Sequence, residues 1–208
     1  MTVIQDPVKV MDDLKTGNLR FTQGTSIHSS DSSLKKLKDL ALAGGQFPKA
    51  IILCCSDSRA PVEIIFDQDI GDLFVIRVAG NIIAPSLVGS VEYAASTFGI
   101  QYVLVMGHSQ CGAIRATLNH ISKIETVSSE NLRDIVGRIK PHIFSIASVK
   151  ESTFEDKLVK SVEANVRASV AQLATSSRLI EDLVQKGKMR IDGAVMNLEN
   201  GVVEFLEM

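Results

Sequence analysis

The chain of 208 residues has no tryptophan, two tyrosines, and only 5% aromatic residues in all. It has three cysteines, an odd and small number. That excludes a disulfide framework, and thiols in such a chain are expected to stay reduced. Charge of one sign is nowhere concentrated, and the formal net charge is −2. A nucleic-acid or polyanion partner is therefore not expected. No apolar run approaches the roughly 20 residues that a membrane-crossing helix needs. The start, Met1-Thr2-Val3-Ile4-Gln5-Asp6-Pro7, has no basic stretch followed by an apolar one, so no secretory leader is read. The expectation is a cytoplasmic protein without a membrane partner. Repeats, low-complexity tracts and long linkers are also lacking. What is there, 45% hydrophobic and 22% charged residues, suits one domain over 1–208.

Apolar spacing predicts a helix over 8–22 (Val8, Met11, Leu14) and a second around Leu34, Leu37 and Leu40, ended by Gly44-Gly45. Together they form an N-terminal helical arm of about 1–45. Ala50-Ile51-Ile52-Leu53-Cys54-Cys55 is a short continuous apolar run, the pattern of a strand buried on both faces. Leu73 to Ala79 and Tyr102 to Met106 read the same way. Between them a helix carries Val88, Val91, Ala95 and Phe98, and Gly99 closes it. Helical patterns fill most of 111–186, with Leu158, Val162, Val166 and Val170 on one stripe. Pro141 is expected to start, kink or end a helix. Ile191–Leu198 reads as a strand, Asn200-Gly201 as a two-residue turn, and Val202–Phe205 as the return of a hairpin. The expected fold is α/β: a mostly parallel central β-sheet flanked by helices, with a C-terminal hairpin strand. Ligands in such sheets bind beyond the carboxyl ends of strands, where the strand order reverses.

Cys55 ends the first strand, in Cys55-Ser56-Asp57-Ser58-Arg59. His108 lies just past the third, in Gly107-His108-Ser109-Gln110-Cys111-Gly112. Two thiols and an imidazole are a donor set that zinc favours, and three protein ligands leave a fourth position open, as in catalytic sites. The spacing of His108 and Cys111 places both on one side of a first helical turn. Gly107 and Gly112 permit tight turns or close backbone approach. Cys54 points to the other face of its strand and reads as a packing thiol. His28, His120 and His142 read as surface or packing residues. Asp57 is open to three readings: a further ligand, a carboxylate gripped and kept ionised by Arg59, or a turn residue beside a surface arginine.

These runs resemble the β-class carbonic anhydrases. The resemblance spans most of the chain, through Gly17-Asn18-Leu19-Arg20-Phe21, Gly71 to Arg77, Ala79-Gly80-Asn81 and Glu92-Tyr93-Ala94. It implies one zinc ion per chain on Cys55, His108 and Cys111. It implies reversible hydration of carbon dioxide to bicarbonate and a proton, by attack of zinc-bound hydroxide. Asp57 then accepts a hydrogen bond from the nucleophile, and Arg59 holds Asp57. Gln46, Phe74 and Tyr93 match substrate-pocket residues, which the family takes from a partner subunit. A homodimer or higher homo-oligomer with active sites at the interface is thus implied, with the N-terminal helix embracing the partner. One form of the family closes when the motif aspartate binds zinc, and it holds a regulatory bicarbonate with a tryptophan where the glutamine would be. With Gln46 and no tryptophan, this chain is expected to be the open form.

Two thiolates make the metal a weaker Lewis acid than three imidazoles would, so activity is expected to rise toward alkaline pH. Gln46 would donate to the oxygen that gains charge. A hydrolase of carbonyl sulfide or carbon disulfide would share the metal set, but Gln46 and Tyr93 favour the oxygen substrate. A non-enzymatic zinc or redox-sensing protein using Cys55 and Cys111 would show a closed fourth ligand or a disulfide on mild oxidation, and the sequence offers no fourth Cys or His at helpful spacing.

Overall fold

The computed structural model describes residues 5–28 and 30–208, so the arm is seen from Gln5 on and without residue 29. Five strands form one sheet in the order β2-β1-β3-β4-β5: β1 (Ala50–Cys54), β2 (Leu73–Arg77), β3 (Tyr102–His108), β4 (Arg190–Met196) and β5 (Val203–Phe205). All pairs are parallel except β4–β5. β1 and β3 are wholly buried, as continuous apolar runs in a two-sided sheet must be. The chain leaves β1 toward β2, then crosses back to lay β3 on the other side of β1. The order therefore reverses between β1 and β3, with Cys54 level with Met106.

Alternate residues sort the core into two faces. On one, Ile52, Cys54, Tyr102, Leu104, Met106, Ala194 and Met196 pack against Val10 and Leu14 of α1 (Pro7–Thr22) and Val62 and Ile65 of α3 (Val62–Ile65). On the other, Ile51, Leu53, Val103 and Val105 meet α4 (Pro85–Phe98), α7 (Phe154–Ala174) and α8 (Arg178–Gln185). A third cluster caps the carboxyl ends of the strands. It is built from α5 (Gly112–Ile121), α6 (Glu130–Ala147) and the start of α7. Burying each Val, Leu or Ile there contributes about 1.5–3 kcal/mol relative to exposure.

Local signals explain the helix ends. Asp6 caps α1 by accepting from Val8 N–H, with Pro7 in the first turn. Thr153 and Ser177 cap α7 and α8 in the same way. Gly99 takes φ 67° after α4 and returns its N–H to Ala95, a left-handed end that glycine adopts without strain. α2 (Ser30–Leu42) runs into Gly44, at φ 71°. Its Leu34 and Leu37 are exposed, whereas α1 buries Val10 and Leu14 against the sheet and leaves Val8 exposed. Pro141 neither starts nor ends a helix; it sits inside α6, exposed. No described helix is long and apolar enough to cross a membrane.

Two expected details change, and one element, α3, goes unread in the sequence. His108 is the last residue of β3 rather than beyond it, and Cys111 is the N-cap of α5, so the pair does not share a helical turn. The short α3 carries too few residues to show a period. The hairpin turn is longer than two residues: pairing stops at Met196–Val203, and Asn197 and Gly201 close the loop with backbone bonds of 2.8 Å. Asn18 of α1 holds that loop. Its amide donates to Gly201 O at 2.8 Å and Ile65 O at 3.2 Å, and its oxygen accepts from Val203 N–H at 2.9 Å.

Candidate metal centre

Parallel pairing brings the ends of β1 and β3 side by side, and the next residues of each carry the ligand types. Cys55 follows β1, and His108 ends β3. Gln110 then adopts a left-handed φ of 57°, which turns the chain so that Cys111 faces back. Gly107 makes room behind them: a Cβ there would meet Val166 Cγ2 at 2.7 Å. Gly112 has open space and no positive φ, so neither a tight turn nor close approach accounts for it.

The ligand atoms of Cys55, His108 and Cys111 lie within 4.8 Å of one another, all three residues buried. The two sulfurs are 3.9 Å apart. Two thiolates on one tetrahedral zinc, at about 2.3 Å each, stand about 3.8 Å apart. His108 Nδ1 faces Ser109 O at 2.9 Å. A carbonyl only accepts, so Nδ1 carries the proton, and Nε2 presents a lone pair. Nε2 is buried and has no hydrogen-bond partner. An orphaned buried nitrogen aimed at two sulfurs at zinc-like separation fits a metal ion.

The two sulfurs are in hydrogen-bonding contact. Cys55 is pulled well below the ordinary thiol range, first by the hydrogen bond from Cys111. Burial opposes this, and His108 and the N–H groups of Gly80 and Asp57 assist it. Cys111 is correspondingly pushed up by its bond to Cys55 and by burial. Burial works against charge on His108, yet the neighbouring Cys55 and Asp57 raise it overall, although neither reaches hydrogen-bonding geometry with Nε2. Cys54 points the other way into the core, and burial pushes it up to about 12, as befits an inert packing thiol.

Asp57 stands beside the group, with Oδ2 3.8 Å from His108 Nε2. Arg59 engages both its oxygens: Nε donates to Oδ1 at 2.9 Å and Nη2 to Oδ2 at 2.8 Å, with the Arg59 N–H adding a third bond. Those bonds hold the carboxyl far below its usual range, against the cost of burial. Arg77, at the end of β2, was not singled out by sequence. Its guanidinium donates to Cys55 O at 2.9 and 3.0 Å and to Asp57 O at 2.5 Å, and so fixes the loop that carries both. Ser109 likewise ties the His108 loop to the sheet, through Met196 O and Leu198 N–H. An arginine closing an apolar strand was the one available signal for Arg77. Ser109 had none.

The residues expected to line the substrate pocket lie elsewhere in the single chain. Phe74 lies on β2 opposite Ile51, three residues or about 10 Å along the strand from its carboxyl end. Its ring packs 6.3 Å from Tyr93 and 6.0 Å from Phe98. Tyr93, on α4, is 55% exposed, and Gln46 is exposed in the loop before β1. Among the described residues, none of the three hydrogen-bonds to Cys55, Asp57, His108 or Cys111. His28 is exposed, His142 is half-buried and hydrogen-bonded to Asn165, and His120 is partly exposed at the end of α5.

The family model for carbonic anhydrase matches residues 50–203. A carbonic anhydrase of Mycolicibacterium smegmatis is 36% identical over 200 residues, covering 96% of this chain and 93% of the relative. One from Pseudomonas aeruginosa is 33% identical over 208 residues, covering 95% and 88%. Among solved structures, the β-carbonic anhydrase CcaA superposes with a TM-score of 0.71 at 28% identity, covering 95% of each chain.

Proposed function

The chain belongs to the β-carbonic anhydrase family and is a carbonic anhydrase, and from that premise we propose that it hydrates carbon dioxide at a zinc ion held by Cys55, His108 and Cys111. The observation that carries the metal reading is the buried, unpartnered Nε2 of His108 facing two sulfurs. When bound there, zinc would lower the pKa of a water at its open position and so make a hydroxide nucleophile available.

The chain's own residues do the rest. Asp57 accepts the proton-bearing side of the nucleophile, which leaves an oxygen lone pair free to face carbon. Arg59 fixes the direction of that acceptor, and Arg77 fixes the backbone beneath it. With both oxygens engaged by Arg59, Asp57 serves as an orienting group rather than a ligand, which supports the open form. Gln46 donates to the oxygen that gains charge, and Phe74 and Tyr93 wall an apolar space for a linear substrate. We place these three in the site of a second subunit, so that a homodimer is the smallest active unit. Support comes from the exposure of Gln46 and Tyr93 in a single chain.

The test compares zinc content and hydration rate in the protein and in Cys55→Ser. We expect about one zinc per chain and rapid hydration in the first, and loss of both in the variant. A metal-free Cys55→Ser protein with full activity would end the proposal.

A further inference from the structure

Behind Cys55 lies a bonded chain of side chains that the reaction as described leaves without a task. Ala79–Asn81 forms a single tight turn after β2, with Gly80 at φ 71° and ψ 20° and Asn81 at φ 42°. Glycine takes such a φ without strain and asparagine tolerates it, so the aim of the turn rests on the neighbours that hold it. Here α7 does so. Asn165 donates from Nδ2 to Gly80 O at 2.9 Å, and Ser169 donates from Oγ to Asn81 O at 3.2 Å. Both side chains are fully buried. The outcome is that Gly80 points its N–H at Cys55 Sγ, 3.4 Å away.

The orientation of Asn165 is itself determined. Gly80 O only accepts, so the NH2 of Asn165 must face it. Oδ1 then faces His142 Nδ1 at 3.0 Å, and that nitrogen must carry a proton. His142 on α6 therefore sets Asn165 on α7, which sets Gly80, which meets the sulfur. Position 80 admits no side chain: a Cβ would meet Ile139 Cδ1 at 2.7 Å and Ala113 Cβ at 3.0 Å, besides the strain at that φ.

We propose that Asn165, oriented by His142, is a positioning residue that keeps the Gly80 N–H on the Cys55 sulfur and thereby sets how much charge that sulfur donates to the metal. A hydrogen bond to a thiolate lowers the energy of its lone pairs, and partners around first ligands tune a metal in this way. The more weakly the sulfur donates, the stronger the Lewis acid beside it. A two-sulfur site gains from such a brake. The inference rests on the zinc reading for its consequence, but not for the hydrogen bond itself.

The test uses Asn165→Leu, which keeps the volume and leaves Gly80 O without a donor. It also uses His142→Ala, which removes the bond to Asn165, and His142→Gln, which can restore a donor there. Two signals are read. One is the Gly80 amide proton resonance in the metal-free protein. The other is the sulfur-to-metal charge-transfer band after cobalt(II) is loaded in place of zinc. In Asn165→Leu we expect the resonance to move upfield and the band to move to longer wavelength. His142→Ala should give a smaller move of the same sign, and His142→Gln should return both signals toward those of the parent. A purely structural role would lower the melting temperature with both signals unmoved, and that result overturns the proposal. If Asn165→Leu does not fold, the His142 pair decides by the same criteria. A parent protein that binds no cobalt would sink the zinc reading alone, and the Gly80 resonance would still decide whether Asn165 positions the amide.

Discussion

At the amino end of β3, Tyr102 is fully buried, and its hydroxyl donates to Asp192 Oδ2 at 3.1 Å across the β3–β4 pair. Arg190 Nε donates to both oxygens of Asp192, at 2.8 and 3.0 Å. Burial, then Asp192, push the Tyr102 hydroxyl far above its ordinary range, so it stays a donor. At the carboxyl end of the same strand, His108 is just as buried, yet its Nε2 has no partner, and two sulfurs 3.9 Å apart stand beside it. Both ends hold polar groups that burial ought to penalise. The amino end satisfies its groups internally and needs nothing more. The carboxyl end leaves donor atoms over, arranged for something the chain does not itself provide. Between these two ends, what marks the functional one is an orphaned Nε2 set beside two sulfurs, more than burial or unusual acidity.

Four substitutions or conditions press on that contrast. The largest effect is expected from Asp57→Asn at the carboxyl end. Hydration should slow by about 10- to 100-fold, as losses beside a metal site do, with the denaturation midpoint hardly moved. A large stability loss with normal turnover would reverse the assignment of the two ends. Asp192→Ala should behave oppositely. It strands the Tyr102 hydroxyl without an acceptor, at a cost of about 2 kcal/mol measured by urea unfolding, while turnover per folded molecule stays the same. Tyr102→Phe removes donor and need together, because Arg190 still serves Asp192. It should cost only about 1 kcal/mol, and a cost above that of Asp192→Ala would contradict the bonding described.

The smallest effect is in pH. Arg59 depresses Asp57 in the folded state, so the stability this contact gives is complete above the unfolded carboxyl value of 3.8 and is lost only as pH falls through the lower folded value. Carboxyl carbon NMR should find Asp57 still ionised at about pH 3, where an ordinary aspartate, with pKa about 3.9, is mostly protonated. Arg59→Ala should return it to the ordinary range.

The sheet was legible because β1 and β3 are buried on both faces and leave uninterrupted apolar runs, and because parallel strands need helices between them. The ligand group was legible because its chemistry is concentrated in Cys55, His108 and Cys111, and strand ends are where such sheets collect ligands. Other features depend on contacts between distant residues, which no local pattern announces. Arg77 reaches Cys55 O across 22 positions, and Asn165 reaches Gly80 across 85. The wide loop of 197–202 is set by Asn18 on the first helix, so an Asn-Gly pair suggested a tighter turn than the fold permits. Gln46, Phe74 and Tyr93 came from resemblance. A single subunit shows them as an exposed amide and an aromatic patch, without their proposed substrate.

Asn18 joins α1, the end of α3 and the loop before β5 through three bonds, the last of them to Val203. During synthesis every proposed metal ligand has been made by residue 111, long before this clasp has its final partner. A chain stalled on the ribosome after β3 would own the whole donor set but not the seam that fastens its first helix to its last strand. Metal loading that outruns translation would meet a half-tied fold, so the order of manufacture favours filling the site after release.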